Sequence, residues 1–268
     1  MAQTIDAQAR DARVVVLGYS GVLAAVAGYV NSVALLVWVF PVGNLTALTT
    51  QVGMHSTNPL LYSGRMIAVI VVGFLAGVMV AGVVLAAARS HTGPRHAAVL
   101  LAEAVLLVAA AGFEHPLVRA PLAAAACGLQ NGMTSGFPGM AIRTTHFTGT
   151  ITDLGLLVAR GFRHGVDKWK AAVLTTTVVL FVAGAAVGVI VGGRLGDHAL
   201  IPASVACVVV AVASIRHDRR RRTLAAHAAP TPEPADSLAG WLEPPPLAAV
   251  SPYGNRSAAA DTAGTHQG

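Results

Sequence analysis

Charge is scarce in this chain. Asp, Glu, Lys and Arg make up 11% of the 268 residues, where a soluble domain carries about a quarter. Hydrophobic residues reach 54% and fall in uncharged blocks, each near the roughly 20 residues that cross a bilayer as a helix. A soluble globular domain is thereby excluded. Aromatics amount to only 5%, so the net charge of +6 lacks the stacking partners of a nucleic-acid surface. The cations sit instead at the ends of apolar blocks, where membrane topology accounts for them. There are two cysteines, Cys127 and Cys207, both inside apolar segments. They read as small hydrophobes, not as a disulfide framework.

Catalytic signatures are missing too. The sequence holds no Gly-x-Ser-x-Gly, no Walker loop and no paired carboxylates. None of the ten histidines forms a metal-ligand motif such as His-Glu-x-x-His. The expectation is a protein that is not an enzyme and carries no metal and no cofactor. Its expected partners are the lipid bilayer and an unidentified small solute, without nucleic acid; homo-oligomerisation is left open.

What the chain does have is a polar, breaker-rich stretch in apolar surroundings. From Cys127 to Leu157 it runs through Gln130, Asn131, Gly136, Pro138 and Gly139 into a threonine run ending in Thr152-Asp153-Leu-Gly155. An echo lies about a hundred residues earlier. Gly28 and Asn31 match Gly128 and Asn131 at an offset of 100, and Thr46, Thr50 and Gly53 match Thr148, Thr152 and Gly155 at 102. Phe74-Leu-Ala-Gly77 matches Phe181-Val-Ala-Gly184 at 107. The order is kept and the offset grows by small insertions, as in two copies of one unit.

The expected organisation is a short N-terminal segment (1–13), a transmembrane domain (14–215) and a basic, then disordered tail (216–268). Spans are expected at 14–39, 66–88, 97–113, 120–137, 171–193 and 199–215, with a loop opening into a short helix after Pro41. The first run has no charge in 26 residues. As a straight helix it would be about 39 Å long, more than the roughly 30 Å hydrocarbon core requires. A break near Gly28–Asn31 is expected, and a second irregular stretch near Gly136–Thr148. Arg10, Arg13 and Ala25-Val26-Ala27 also resemble a signal peptide. The segment is read as a retained span, because its counterpart in the second copy is internal.

With six spans and the N-terminus inside, fifteen of the eighteen Lys and Arg residues face the cytoplasm, leaving Arg65, Arg119 and Arg194 outside. The positive-inside rule therefore favours a multi-pass protein of the cytoplasmic membrane with both termini cytoplasmic. Three spans per copy put the second copy upside down. The fold class expected is thus an all-α membrane protein, two inverted three-helix repeats (14–113 and 120–215) with helices 1 and 4 discontinuous. That is the architecture of many secondary transporters.

Several residues are candidates for function. Asn31 and Asn131 are polar at membrane depth, either joining the repeats or lining a solute site; Gln130, Thr148 and Thr152 accompany them. Asp153, with Arg143 and the neighbouring threonines, is a candidate for proton or ion coupling, or else an acid favoured by the dipole in the first turn of a short helix. Glu103 is the one acid inside an apolar block of the expected spans. Ionisable groups there are costly and functional by default, unless they snorkel to the interface.

These motifs resemble those of the YoaK family of bacterial inner-membrane proteins, a domain of unknown function. The resemblance spans roughly Val14 to Ile215. It rests mainly on Gly128-Leu-Gln-Asn131, Arg143-Thr144-Thr145 and Thr148-Gly-Thr-Ile-Thr-Asp-Leu-Gly155. The first-copy element, Val42 to Gly53, is an altered form with extra residues. The resemblance implies a six-span membrane protein with transport activity. It brings no substrate, cofactor or catalytic residue.

Overall fold

A computed structural model describes residues 2–57, 64–88, 92–136 and 144–228, apart from the side chains of 2–12, 163–164 and 226–228. Among these residues the chain is all-helical: α1 (Ala2–Trp38), α2 (Leu45–Thr57), α3 (Gly64–Leu85), α4 (Pro94–Gly112), α5 (Pro116–Ser135), α6 (Phe147–His164), α7 (Lys168–Leu195) and α8 (Leu200–Ala228). Residues 1–225 form one compact unit; of the second, 226–268, only the end of α8 is described.

Four stretches among the described residues are long and apolar enough to cross a membrane: Arg13–Trp38, Gly64–Leu85, Pro94–Gly112 and Lys168–Ala225. The chain is a multi-pass helical membrane protein. The last stretch covers 58 residues, about 87 Å as one rod, far beyond any bilayer. It is folded instead at a 3-10 turn, Gly196–Ala199. Gly196 there has φ 56°, a left-handed conformation that glycine adopts without the penalty of a side chain.

Small residues bring the helices together. A Cβ on Gly28 would collide with the Phe181 carbonyl oxygen, and one on Gly184 with that of Ala25. Gly21 meets Leu180 and Thr176 while Gly192 meets Val33 and Leu36, so residue numbers rise together and α1 runs parallel to α7. The pair α3 and α5 repeats this. Gly128 lies against the Phe74 carbonyl, Gly77 against that of Ala125, and Gly132 against Ala81 and Val78. These contacts match those of α1 and α7 at offsets of 100 and 107 residues. In contrast, α1 and α5 cross in opposite directions: Tyr19 Oη donates to Met133 Sδ (3.6 Å) and Gln130 Nε2 to the Leu23 carbonyl.

Expected and observed elements differ in three places. First, α1 is unbroken through Gly28–Asn31. Gly28 serves close packing there, and the chain leaves the helix only after Trp38, where Val39 takes φ 65°. Likewise α5 is continuous to Ser135; within the second irregular stretch, 137–143 lie outside the described residues. Second, α6 is 18 residues long, which puts Asp153 in its second turn, not its first. Third, α8 continues as helix past Ile215 to Ala228, so the basic run 216–222 is helical. The rest of the expected tail, 229–268, lies outside the described residues.

Candidate functional site

The chain turns back on itself after α1 and again after α5. Asn31 sits seven residues before the end of α1, about 10 Å down the helix. Its Oδ1 accepts the backbone N–H of Gly43 at 3.0 Å, so the loop 39–44 folds back along the helix it has just left. On α5, Asn131 Oδ1 accepts Thr145 Oγ1 at 3.2 Å, while Asn131 Nδ2 donates to the Cys127 carbonyl at 2.9 Å. A Cβ on Gly43 would lie 3.1 Å from Thr145 Cγ2. The two returning loops therefore meet, each tied to an asparagine, Asn31 or Asn131, the two standing 100 residues apart.

Beside that meeting point is a cavity of about 500 Å³. Its walls come from both loops, Gly43–Thr46 and Thr145–Thr148, from α5 through Asn131, Gly132 and Ser135, and from α3 through Phe74, Val78 and Gly82. Helices α2 and α6 both begin here. The first-turn amides of an α-helix have no partner within it and carry the positive end of its dipole. Asn44 Oδ1 accepts one of them, the Ala47 N–H at 3.2 Å; His146 before α6 makes no side-chain cap. Phe147 anchors the start of α6 on α7, its ring centroid 4.3 Å from that of Phe181. Among the described residues, no Asp, Glu, Lys or Arg lines the cavity. It offers hydroxyls, amides, backbone donors and the imidazole of His146, a surface suited to binding a polar molecule.

The structure brings some of the candidates together and leaves others apart. Asn131, 7% exposed, and Thr148 line the cavity. Asn31 stands behind it, holding Gly43. Gln130 is buried and bonds α5 to α1. Thr152 and Asp153 are exposed on α6. The hydroxyls of Thr150 and Thr152 bond the carbonyls of His146 and Thr148 one turn back, at 3.1 and 2.8 Å, and Arg143 lies outside the described residues. Glu103 is 1% exposed within the bundle. That burial speaks against the snorkelling alternative, since its carboxyl is enclosed by protein.

Sequence reasoning missed Gly43, whose register with Thr145 follows from the same offset of 102 that links Thr46 to Thr148. It missed the α3 wall, since apolar residues carry no local signal for a cavity. It also missed a cluster at one end of the bundle. There Asp197 accepts Trp38 Nε1 at 2.6 Å and Arg119 Nη1 at 2.8 Å, with the Arg119 guanidinium 5.1 Å from the Trp38 ring centroid.

The profile of a family described as "Protein of unknown function (DUF1275)" matches residues 20–213. No curated protein and no solved structure matches the chain. The chain belongs to the DUF1275 family, which is the YoaK family that its motifs resemble.

Proposed function

From that membership and this geometry, we propose that the protein moves a small polar solute across the cytoplasmic membrane through the cavity between its two returning loops. The observation that carries the reading is the cavity itself. Irregular backbone from both halves meets there at the depth of Asn31 and Asn131, and such backbone is tolerated inside a bilayer only where it is buried in protein or lines a polar space.

The architecture we propose around it has six spans, α1, α3, α4, α5, α7 and α8, in two inverted halves. Two features support it. The interhelical glycine contacts occur twice at constant offsets, and α1 and α5 cross in opposite directions. Between these spans α2 and α6 are short helices that start at the cavity. Helix α5 is less apolar than the other spans because it carries Arg119, Gln130, Asn131 and Thr134, and three of these are buried against its neighbours. The positive-inside distribution supports placing both termini in the cytoplasm.

A second reading, a non-transporting membrane scaffold, has one observation in its favour: both polar atoms of the Asn131 side chain are paired within the protein. Solute uptake by purified protein in liposomes separates the two readings. Transport predicts flux of at least one small polar solute, lost in Asn131→Ala although the variant inserts. A broad panel with no flux, together with unchanged metabolite profiles in deletion and overexpressing cells, establishes the scaffold.

A further inference from the structure

Glu103 takes no part in that cavity. It lies midway along α4, 1% exposed, beside Cys207 of α8. Its second oxygen, Oε2, is buried with no partner. Among the described residues, the titratable groups facing it are Cys207, Cys127 from α5 and Tyr19 from α1. None is a cation. The sole titratable residue of α3 is Arg65, in its first turn, and Asp197 in the turn before α8 is committed to Arg119. The ion pairs among the described residues, Arg119–Asp197 and Arg222–Asp218, leave Glu103 out. Nor do Glu103 and the two thiols form a metal-holding group among the described residues.

A carboxyl group in such a place has two incompatible requirements. Ionised, it needs water or a cation, and without them burial is strongly unfavourable. Protonated, it fits the dry packing seen here, beside a thiol. A change of protonation at Glu103 therefore cannot occur without a change in how the helices pack. We propose that Glu103 is a proton-binding site whose occupancy is linked to the packing of α5 and α8 against α4. The step is a proton transfer alone: the carboxyl gives its proton to water admitted from one side and takes one back, breaking and forming only O–H bonds.

A route to the cavity exists on α5. Cys127 faces Glu103, and one turn later Asn131 donates to the Cys127 carbonyl at 2.9 Å while holding Thr145. The same turn of helix thus touches the carboxyl on one side and the cavity wall on the other. This gives the solute reading above a coupling ion, the proton, and rests on that reading only for the purpose the linkage serves.

The test is pH-difference infrared spectroscopy of the full chain in phosphatidylethanolamine–phosphatidylglycerol vesicles. The expected result is a protonated-carboxyl band lost on raising pH, together with an amide I change, both absent from Glu103→Gln. Cys207→Ala keeps the carboxyl and should shift the band by changing its neighbour, identifying the carboxyl beside Cys207 even if Glu103→Gln folds poorly. An amide I change that persists in Glu103→Gln, or deprotonation with no amide I change in the wild type, overturns the proposal. Solute flux measured in the same vesicles keeps the outcomes apart. Flux without the linked change sinks the proton site alone, and the linked change without flux of any solute sinks the transport reading alone.

Discussion

Gly28 lies against the backbone carbonyl of Phe181, so closely that one added methyl group would collide with it. The same relation holds between Gly128 and Phe74. Helices in a bilayer have no surrounding water to drive them together. They associate through packing, which small residues permit by letting backbones approach. Helix α1 is thereby fastened to α7, and α5 to α3.

Gly28→Ala and Gly128→Ala should each lower thermal stability in detergent, by an amount typical of overpacking, about 1–3 kcal/mol. Backbone carbonyls cannot rotate away as a side chain would. Gly193→Ala on α7, where nothing lies within 4 Å of the added atom, should be neutral or stabilising by up to about 1 kcal/mol. Melting curves that rank Gly193→Ala with the other two would count against the packing.

How far was this legible in the sequence? The helices were, because long apolar blocks and their Gly–Pro punctuation are local signals. The repeat was legible as matched residues, and Gly28, Phe74, Gly77, Gly128, Phe181 and Gly184 prove to be the contact residues themselves. Their role was not. A glycine inside a helix can mark a break or a close approach, and only Phe181, far along the chain, decides for Gly28. Asn31 and Asn131 stood out as polar residues at membrane depth, yet their task of holding a returning loop depends on Gly43 and Thr145. Glu103 shows the same limit. Its distance from the span's start fitted snorkelling, whereas its burial is set by α1, α5 and α8.

At the end of the bundle holding Trp38, Asp197 accepts hydrogen bonds from two partners. Asp197→Asn removes the charge that faces the Arg119 guanidinium, whose Nε already lacks a partner. Because the pair is partly exposed, with side-chain exposures of 15% and 32%, the loss should be moderate, on the order of 1–2 kcal/mol. Trp38 fluorescence should shift as its indole N–H loses a charged acceptor. An unchanged emission spectrum would place Trp38 elsewhere.

The topology has its own test. In the proposed topology α1 runs outward, which would put the Trp38–Arg119–Asp197 cluster outside and the helical basic run 216–222 in the cytoplasm. A reporter fused after Thr223 should be active only in its cytoplasmic form. Removing the arginines 219–222 should weaken this orientation without unfolding the bundle, since all four are exposed and the bridge from Arg222 to Asp218 stays within α8. Reporter activity confined to the outside would reverse every span assignment.

The two acids Glu103 and Asp153 should respond differently to neutralisation, and the comparison bears on where coupling occurs. Asp153 is exposed on α6, and the nearby threonine hydroxyls of 150 and 152 are engaged with their own helix. Its side chain is therefore not enclosed by neighbouring helices among the described residues. Glu103 is enclosed on all sides, so its charge and the helix packing change together. In vesicles carrying a solute identified by the uptake screen, Asp153→Asn should keep proton-driven accumulation within about twofold of wild type, a change worth roughly 0.4 kcal/mol. Glu103→Gln should retain downhill flux and lose at least about tenfold in accumulation against a gradient, because the proton no longer has a site whose filling moves α5. If Asp153→Asn abolishes accumulation while Glu103→Gln does not, the proton acts at the surface of α6, and the buried carboxyl serves packing alone.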